Sequence, residues 1–198
     1  MTLTLDAIPS PFKPTPEQLA AAAGQGVPDV IAAGLRVLFC GINPSLYSAA
    51  VGHHFGWPGN RFWPVLYRAG FTERLLSPFK DRSLLAQGCG ITNLVERATA
   101  AAAELAPREL GEGRQRLQAR VLEYSPRVLA VLGAGAYRSA FARPQAALGR
   151  QGETIGQTVV WLLPNPSGLN AHYRLDDLAR LFRELLIFCS GRSEEVSA

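Results

Sequence analysis

The chain of 198 residues lacks most features that mark membrane, metal-binding or secreted proteins. Charges, prolines and glycines interrupt its apolar runs well before the roughly 20 residues that span a bilayer. Met1-Thr2-Leu3-Thr4-Leu5-Asp6 has neither the basic stretch nor the long apolar stretch of a signal peptide, so a cytoplasmic, nucleoid-associated protein is expected, with no membrane partner. Cysteine is scarce: Cys40, Cys89 and Cys189 lie far apart in apolar surroundings and read as buried, reduced thiols. They cannot furnish a four-thiolate iron–sulfur site, and no Cys-x-x-Cys or close Cys/His pairing suggests zinc. No Gly-x-Ser-x-Gly elbow points to acyl transfer. Gly133-Ala134-Gly135-Ala136-Tyr137-Arg138 has Arg138 where a dinucleotide-binding loop needs its last glycine, and reads as a tight strand-to-helix turn. No metal and no cofactor is expected. Lysine is nearly absent too, with only Lys13 and Lys80, so arginine carries the net charge of +4. That balance permits a polyanionic partner without demanding one, and the arginine fork suits phosphate.

What is present is a chain with 47% hydrophobic residues, enough for one domain with a sizeable core. The proline-rich stretch 1–16 reads as a flexible arm, 17–190 as a single domain, and 191–198 as a flexible tail. Short apolar runs at 36–40, 88–92, 127–132 and 158–163 read as buried strands. Helical patterns fall between or after them, at about 61–69, 109–124, 136–142 and 175–188. The third of those strands follows Ser125-Pro126, and the residue before a proline is steered away from helix. This alternation predicts an α/β fold whose mostly parallel sheet is covered by helices on both faces. Ligands in such folds gather beyond the carboxyl ends of the strands.

Asparagine, proline and glycine crowd those ends, and acidic residues are nearly absent. Gly41-Ile42-Asn43-Pro44 follows the first strand and opens a long segment through Trp63, rich in aromatics and histidines. An ordered connection of that length is usually functional. Asn93 ends the second strand. Leu163-Pro164-Asn165-Pro166-Ser167-Gly168-Leu169-Asn170 follows the fourth, with Leu169 as an apolar tip on a stiff loop, as a wedge into DNA requires. His53, His54 and His172 are candidate contacts to substrate or phosphate. Arg61 and Arg174, near the two loops, are candidate phosphate contacts. Phe62 and Trp63 open a helix and read as core.

Gly-Ile-Asn-Pro, His-His-Phe, Pro-Gly-Asn-Arg-Phe-Trp and Asn-Pro-Ser-Gly-Leu, in that order between about Leu35 and Leu186, resemble the mismatch-specific uracil-DNA glycosylases. These are bacterial relatives of thymine-DNA glycosylase. The resemblance implies a three-layer α/β/α sandwich with a short central sheet, no cofactor, and double-stranded DNA with mismatched or damaged bases as partner, bound by a monomer. It implies that Asn43 positions water and that Phe55 stacks on the flipped base. The backbones of Ile42 and Phe55 would read the uracil edge, and Ser48 would face the 5-position. Asn165, Ser167, Gly168, Leu169 and Asn170 would form the DNA wedge and strand contact. Asn93 is a second candidate catalytic residue, although an amide cannot act as a base there. Asn170-Ala171-His172 stand where the family often has Ser-Arg after Gly-Leu. The expected reaction is hydrolysis of the N-glycosidic bond of guanine-paired uracil. A module that binds deformed DNA without cutting it, and a nucleotide-binding enzyme acting on small molecules, are the alternatives.

Overall fold

A computed structural model describes residues 12–191. Residues 1–11 and 192–198, most of the expected arm and tail, lie outside the described residues. The strands are β1 (Val37–Gly41), β2 (Cys89–Asn93), β3 (Val128–Leu132), β4 (Gly149–Ile155) and β5 (Thr158–Leu163). They form one sheet in the order β2-β1-β3-β5-β4, parallel except for β4, which runs antiparallel to β5. The helices are α1 (Pro16–Ala21), α2 (Leu46–Val51), α3 (Phe62–Ala69), α4 (Pro107–Tyr124), α5 (Ala134–Ala140) and α6 (Leu175–Gly191), with a 3-10 segment at Pro78–Gln87.

Strand side chains alternate between faces, so each central strand supplies two cores. Val37 and Phe39 of β1 join Val128, Ala130 and Leu132 of β3 on one face, covered by Phe62 and Leu66 of α3 and Leu178, Phe182 and Leu185 of α6. Leu38 and Cys40 join Leu129, Val131, Val160 and Leu162 on the other, covered by Leu117 and Val121 of α4 and Tyr137 of α5. That is the expected α/β/α sandwich, and it explains why these strands read as continuous apolar runs. The ring of Phe39 lies 5.5 Å from Phe62, 5.3 Å from Phe71 and 5.9 Å from Phe182, centroid to centroid, an aromatic cluster that pins α3 and α6 to the sheet. The cysteines are free and buried, and burial raises the thiol pKa of each.

β1 is flanked by β2 on one side and β3 on the other. The connection leaving β1 runs to β2 while the one leaving β3 runs the other way, toward β4 and β5, which opens a crevice between the carboxyl ends of β1 and β3. Three elements differ from the expectation. β4 is an edge strand of alternating half-buried and exposed residues with glycines inside it, so it has no apolar run to reveal it. α2 lies inside the segment read as a loop; Ser45 starts it by accepting a hydrogen bond from the Ser48 N–H. α1 begins at the end of the expected arm, where Thr15 and Gln18 form a capping box. Among the described residues, no helix is long and apolar enough to cross a membrane.

Candidate active site

A cavity of about 490 Å³ opens beyond the carboxyl ends of the parallel strands, in the size range of small-ligand sites. Gly41 and Asn93 from the ends of β1 and β2, Leu132 from β3 and Asn165 from beyond β5 all reach it. So do Ile42, Asn43, Ser48, Phe55, Ser167 and Leu169. Of the residues that the resemblance assigns to the site, Gly168 and Asn170 are outside its lining, as are the candidate contacts His53, His172, Arg61 and Arg174.

Asn43 is half-buried, and its amide orientation follows from its partners. Its Nδ2 donates to the Arg97 carbonyl at 3.0 Å and to Thr99 Oγ1 at 2.7 Å. A carbonyl can only accept, and the Thr99 hydroxyl spends its own hydrogen on the Ala101 carbonyl at 2.8 Å. Both amide hydrogens are thus engaged, and Oδ1, the remaining acceptor, has no partner among the described residues. The segment that holds Asn43 is itself tied down: Arg97 bonds both carboxylate oxygens of Glu109, at 2.5 and 2.9 Å, and holds that carboxyl down to about 2. Nothing in the sequence marked Thr99 or the Arg97 carbonyl for this task.

Phe55 sits at a left-handed φ of 52°, costly for a residue with a side chain. Two contacts hold it there. Its ring stacks on Phe62 at 4.0 Å between centroids, and Ser48 Oγ accepts from the Gly56 N–H at 3.0 Å. Ser48 does line the cavity, but its hydroxyl is engaged with Gly56 and Ser45. The backbone N–H groups of Ile42 and Phe55 have no protein acceptor among the described residues.

Asn93 and His54 form the buried floor. His54 Nε2 lies 3.0 Å from the Pro28 carbonyl, and Asn93 Nδ2 lies 3.3 Å from His54 Nδ1. Burial lowers the imidazole pKa, against the pull of the Pro28 carbonyl. His53 instead pairs with the buried Asp81 at 3.0 Å and does not line the cavity. His172 is exposed.

The second loop projects Leu169, which is 83% exposed. Its polar residues brace it internally. Asn165 Oδ1 accepts from the Ser167 N–H at 2.9 Å, Ser167 Oγ from the Leu169 N–H at 3.3 Å, and Asn170 Nδ2 donates to the Asn165 carbonyl at 3.0 Å. Arg61 corrects an expectation: its guanidinium turns inward and donates to the carbonyls of Pro166, Ser167, Asn170 and Tyr173. A planar fork with five donors suits that cluster of acceptors, and it leaves little for a phosphate. Arg174 remains exposed. A Cβ on Gly168 would stand 2.2 Å from the Gly59 carbonyl oxygen, so only glycine lets the two loops touch.

No aspartate or glutamate lines the cavity. Among the described residues, no group of three His, Cys, Asp or Glu could hold a metal ion. The arrangement offers a neutral acceptor for water, a flat aromatic face, an amide floor and free backbone donors. The family model of the uracil DNA glycosylase superfamily matches residues 28–186. The solution NMR structure of a protein from Methanosarcina acetivorans, itself proposed to be a uracil DNA glycosylase, has the same fold. It superposes with a TM-score of 0.55 at 20% identity, over 82% of this chain and 98% of that one.

Proposed function

Since the chain belongs to the uracil DNA glycosylase superfamily and is a DNA N-glycosylase, we propose that it removes uracil from G:U mismatches in double-stranded DNA by base flipping and hydrolysis. The observation that carries this reading is the fixed amide of Asn43, a cavity-lining side chain whose one hydrogen-bonding atom without a partner among the described residues is an acceptor. An acceptor of this kind takes a hydrogen of water and leaves the oxygen lone pair for the anomeric carbon. The flipped uracil stacks on Phe55, and the N–H groups of Ile42 and Phe55 disperse the charge that leaves on the base. Leu169 fills the gap in the duplex. A mismatch favours the reaction because an ill-paired base costs least to unstack. The domain itself runs over 17–190.

With no carboxylate at the cavity, nothing there takes the proton of the water before the bond breaks. The rate then depends on how well the base leaves as an anion. Single-turnover excision opposite guanine is expected to run faster for 5-fluorouracil than for uracil, and faster for uracil than for thymine. The assay is alkaline cleavage at the abasic site. Equal rates for 5-fluorouracil and uracil would contradict a leaving-group-limited step, and no strand breaks with any base would leave a module that binds without cutting.

Leu169→Ala provides a second check. An exposed tip adds little to the core, so its melting temperature should stay within about 1 °C. Excision from duplex should fall about tenfold, and excision from single-stranded DNA should hardly change, because there is no stack to fill. An equal loss on both substrates would deny Leu169 the wedge role.

A further inference from the structure

The two side chains on the cavity floor are hydrogen-bonded in one direction only. The Pro28 carbonyl can only accept, so the His54 nitrogen 3.0 Å from it, Nε2, carries a hydrogen. His54 is 2% exposed, and burial disfavours a second proton, as already noted. Nδ1 is then a lone pair. Asn93 meets it at 3.3 Å with Nδ2, which donates. The opposite orientation of the amide would set oxygen lone pairs against the lone pair of Nδ1.

The direction matters because of where the amide oxygen ends up. Oδ1 of Asn93 stands 2.5 Å from the point where a Cβ on Gly41 would lie, and Cζ of Phe55 stands 3.4 Å from the same point. Amide oxygen and aromatic ring thus converge over Gly41, at the carboxyl end of β1. A base lying on the Phe55 ring presents its edge to that oxygen. The Asn93 oxygen has no other partner among the described residues.

We propose that His54 is a positioning residue that fixes which way the Asn93 amide faces, and through it makes the pocket accept a base with hydrogen on its ring nitrogen N3 over one with a lone pair there. Uracil has N3–H and donates to Oδ1; cytosine has a bare N3 and is repelled. The proposal rests on reading the cavity as a base pocket.

The test uses duplexes that hold a non-cleavable 2′-fluoro-deoxyuridine or 2′-fluoro-deoxycytidine opposite an abasic site, so that neither base is paired. The unaltered protein should bind the uracil duplex about tenfold more tightly than the cytosine one. In His54→Leu, which cannot accept from Asn93, the ratio should fall to within about twofold. His54→Asn places a carbonyl oxygen near the position of Nδ1 and should restore most of it. Asn93→Ala should abolish the preference, and adding His54→Leu to Asn93→Ala should change nothing further. A preference that survives in His54→Leu, or that falls further in the double variant than in Asn93→Ala, would overturn the role of His54 while leaving the base pocket standing. No preference in the unaltered protein would overturn both. If His54→Leu does not fold, nitrogen NMR of the unaltered protein decides the matter: hydrogen on Nε2 is expected, and hydrogen on Nδ1 would overturn the proposal.

Discussion

Asn43→Ala is expected to lose about 10²-fold or more in single-turnover excision of guanine-paired uracil, in line with removal of one positioned catalytic group. Folding should survive. The variant leaves the Arg97 carbonyl and Thr99 Oγ1 without their donor, which costs about 1–3 kcal/mol, a fraction of the stability of an ordinary domain. Affinity for a mismatched duplex should be kept, since the wedge loop and the Phe55 ring are untouched. Asn43→Asp tests the orientation more sharply. A carboxylate could take a proton from water, but it cannot donate to the Arg97 carbonyl, and it would set negative charge against that oxygen. The aspartate variant is therefore expected to fall below the unaltered protein, despite its better base. Excision by Asn43→Asp at or above the original rate would show that donation to Arg97 is dispensable. Near-normal excision by Asn43→Ala would move the water-positioning role elsewhere, with Asn93 next in line.

Arg61→Ala should reduce excision from duplex by about 10- to 10²-fold without touching any reacting atom. The guanidinium holds four backbone carbonyls of the 166–173 segment, and no other side chain can replace so many donors at once. Without it, Leu169 loses the fixed stance that the proposed wedge role needs, and misplacement by about 1 Å can cost 10²-fold. Arg61→Lys should recover only part, because an ammonium lacks the planar fork. The measurement that separates this role from a phosphate contact is salt dependence. Each lost phosphate contact lowers the slope of log affinity against log salt by about 0.9. For Arg61→Ala the slope should stay the same while hydrogen exchange in the 164–173 segment rises. A slope reduced by about one unit, with exchange unaltered, would return Arg61 to the DNA surface. Arg174, exposed beside the same loop, is the residue for which a reduced slope is expected.

Arg61 and Leu169 differ in how much of their placement the sequence carries. Leu169 was legible because an apolar residue between glycine and asparagine, after two prolines, has nowhere to hide. The inward turn of Arg61 is not legible, because an arginine next to such a loop looks the same whether it faces phosphate or carbonyl. Its partners lie 105 to 112 residues away. β1, β3 and β5 are visible since both their faces are buried and their runs are almost wholly apolar, whereas β2, equally buried, carries Gly90, Thr92 and Asn93 and shows only a weak run. β4 escaped because an edge strand needs only backbone pairing with β5, and its side chains carry no pattern. α2 escaped because its six residues are too few to show helical periodicity. Asn43 and Asn93 stand out by position, as amides at or just beyond strand ends, while the roles expected of them come from the family resemblance. The orientation of each amide was invisible, because it is set by Arg97, Thr99 and His54 through hydrogen bonds that no local spacing reports.

The contact between Gly168 and the Gly59 carbonyl ties the loop that carries Leu169 to the loop that follows Phe55. The ring of Trp57 is packed into the same junction, 3.2 Å from where a Cβ on Gly168 would lie. Neither loop can change shape alone. Over the history of such a chain, a larger residue at 168 or a shifted backbone at 59 survives only when the other loop changes with it. The two segments, more than a hundred positions apart, are thus expected to be inherited as one unit. A graft of the 164–173 segment from a relative should work only when 57–60 travels with it.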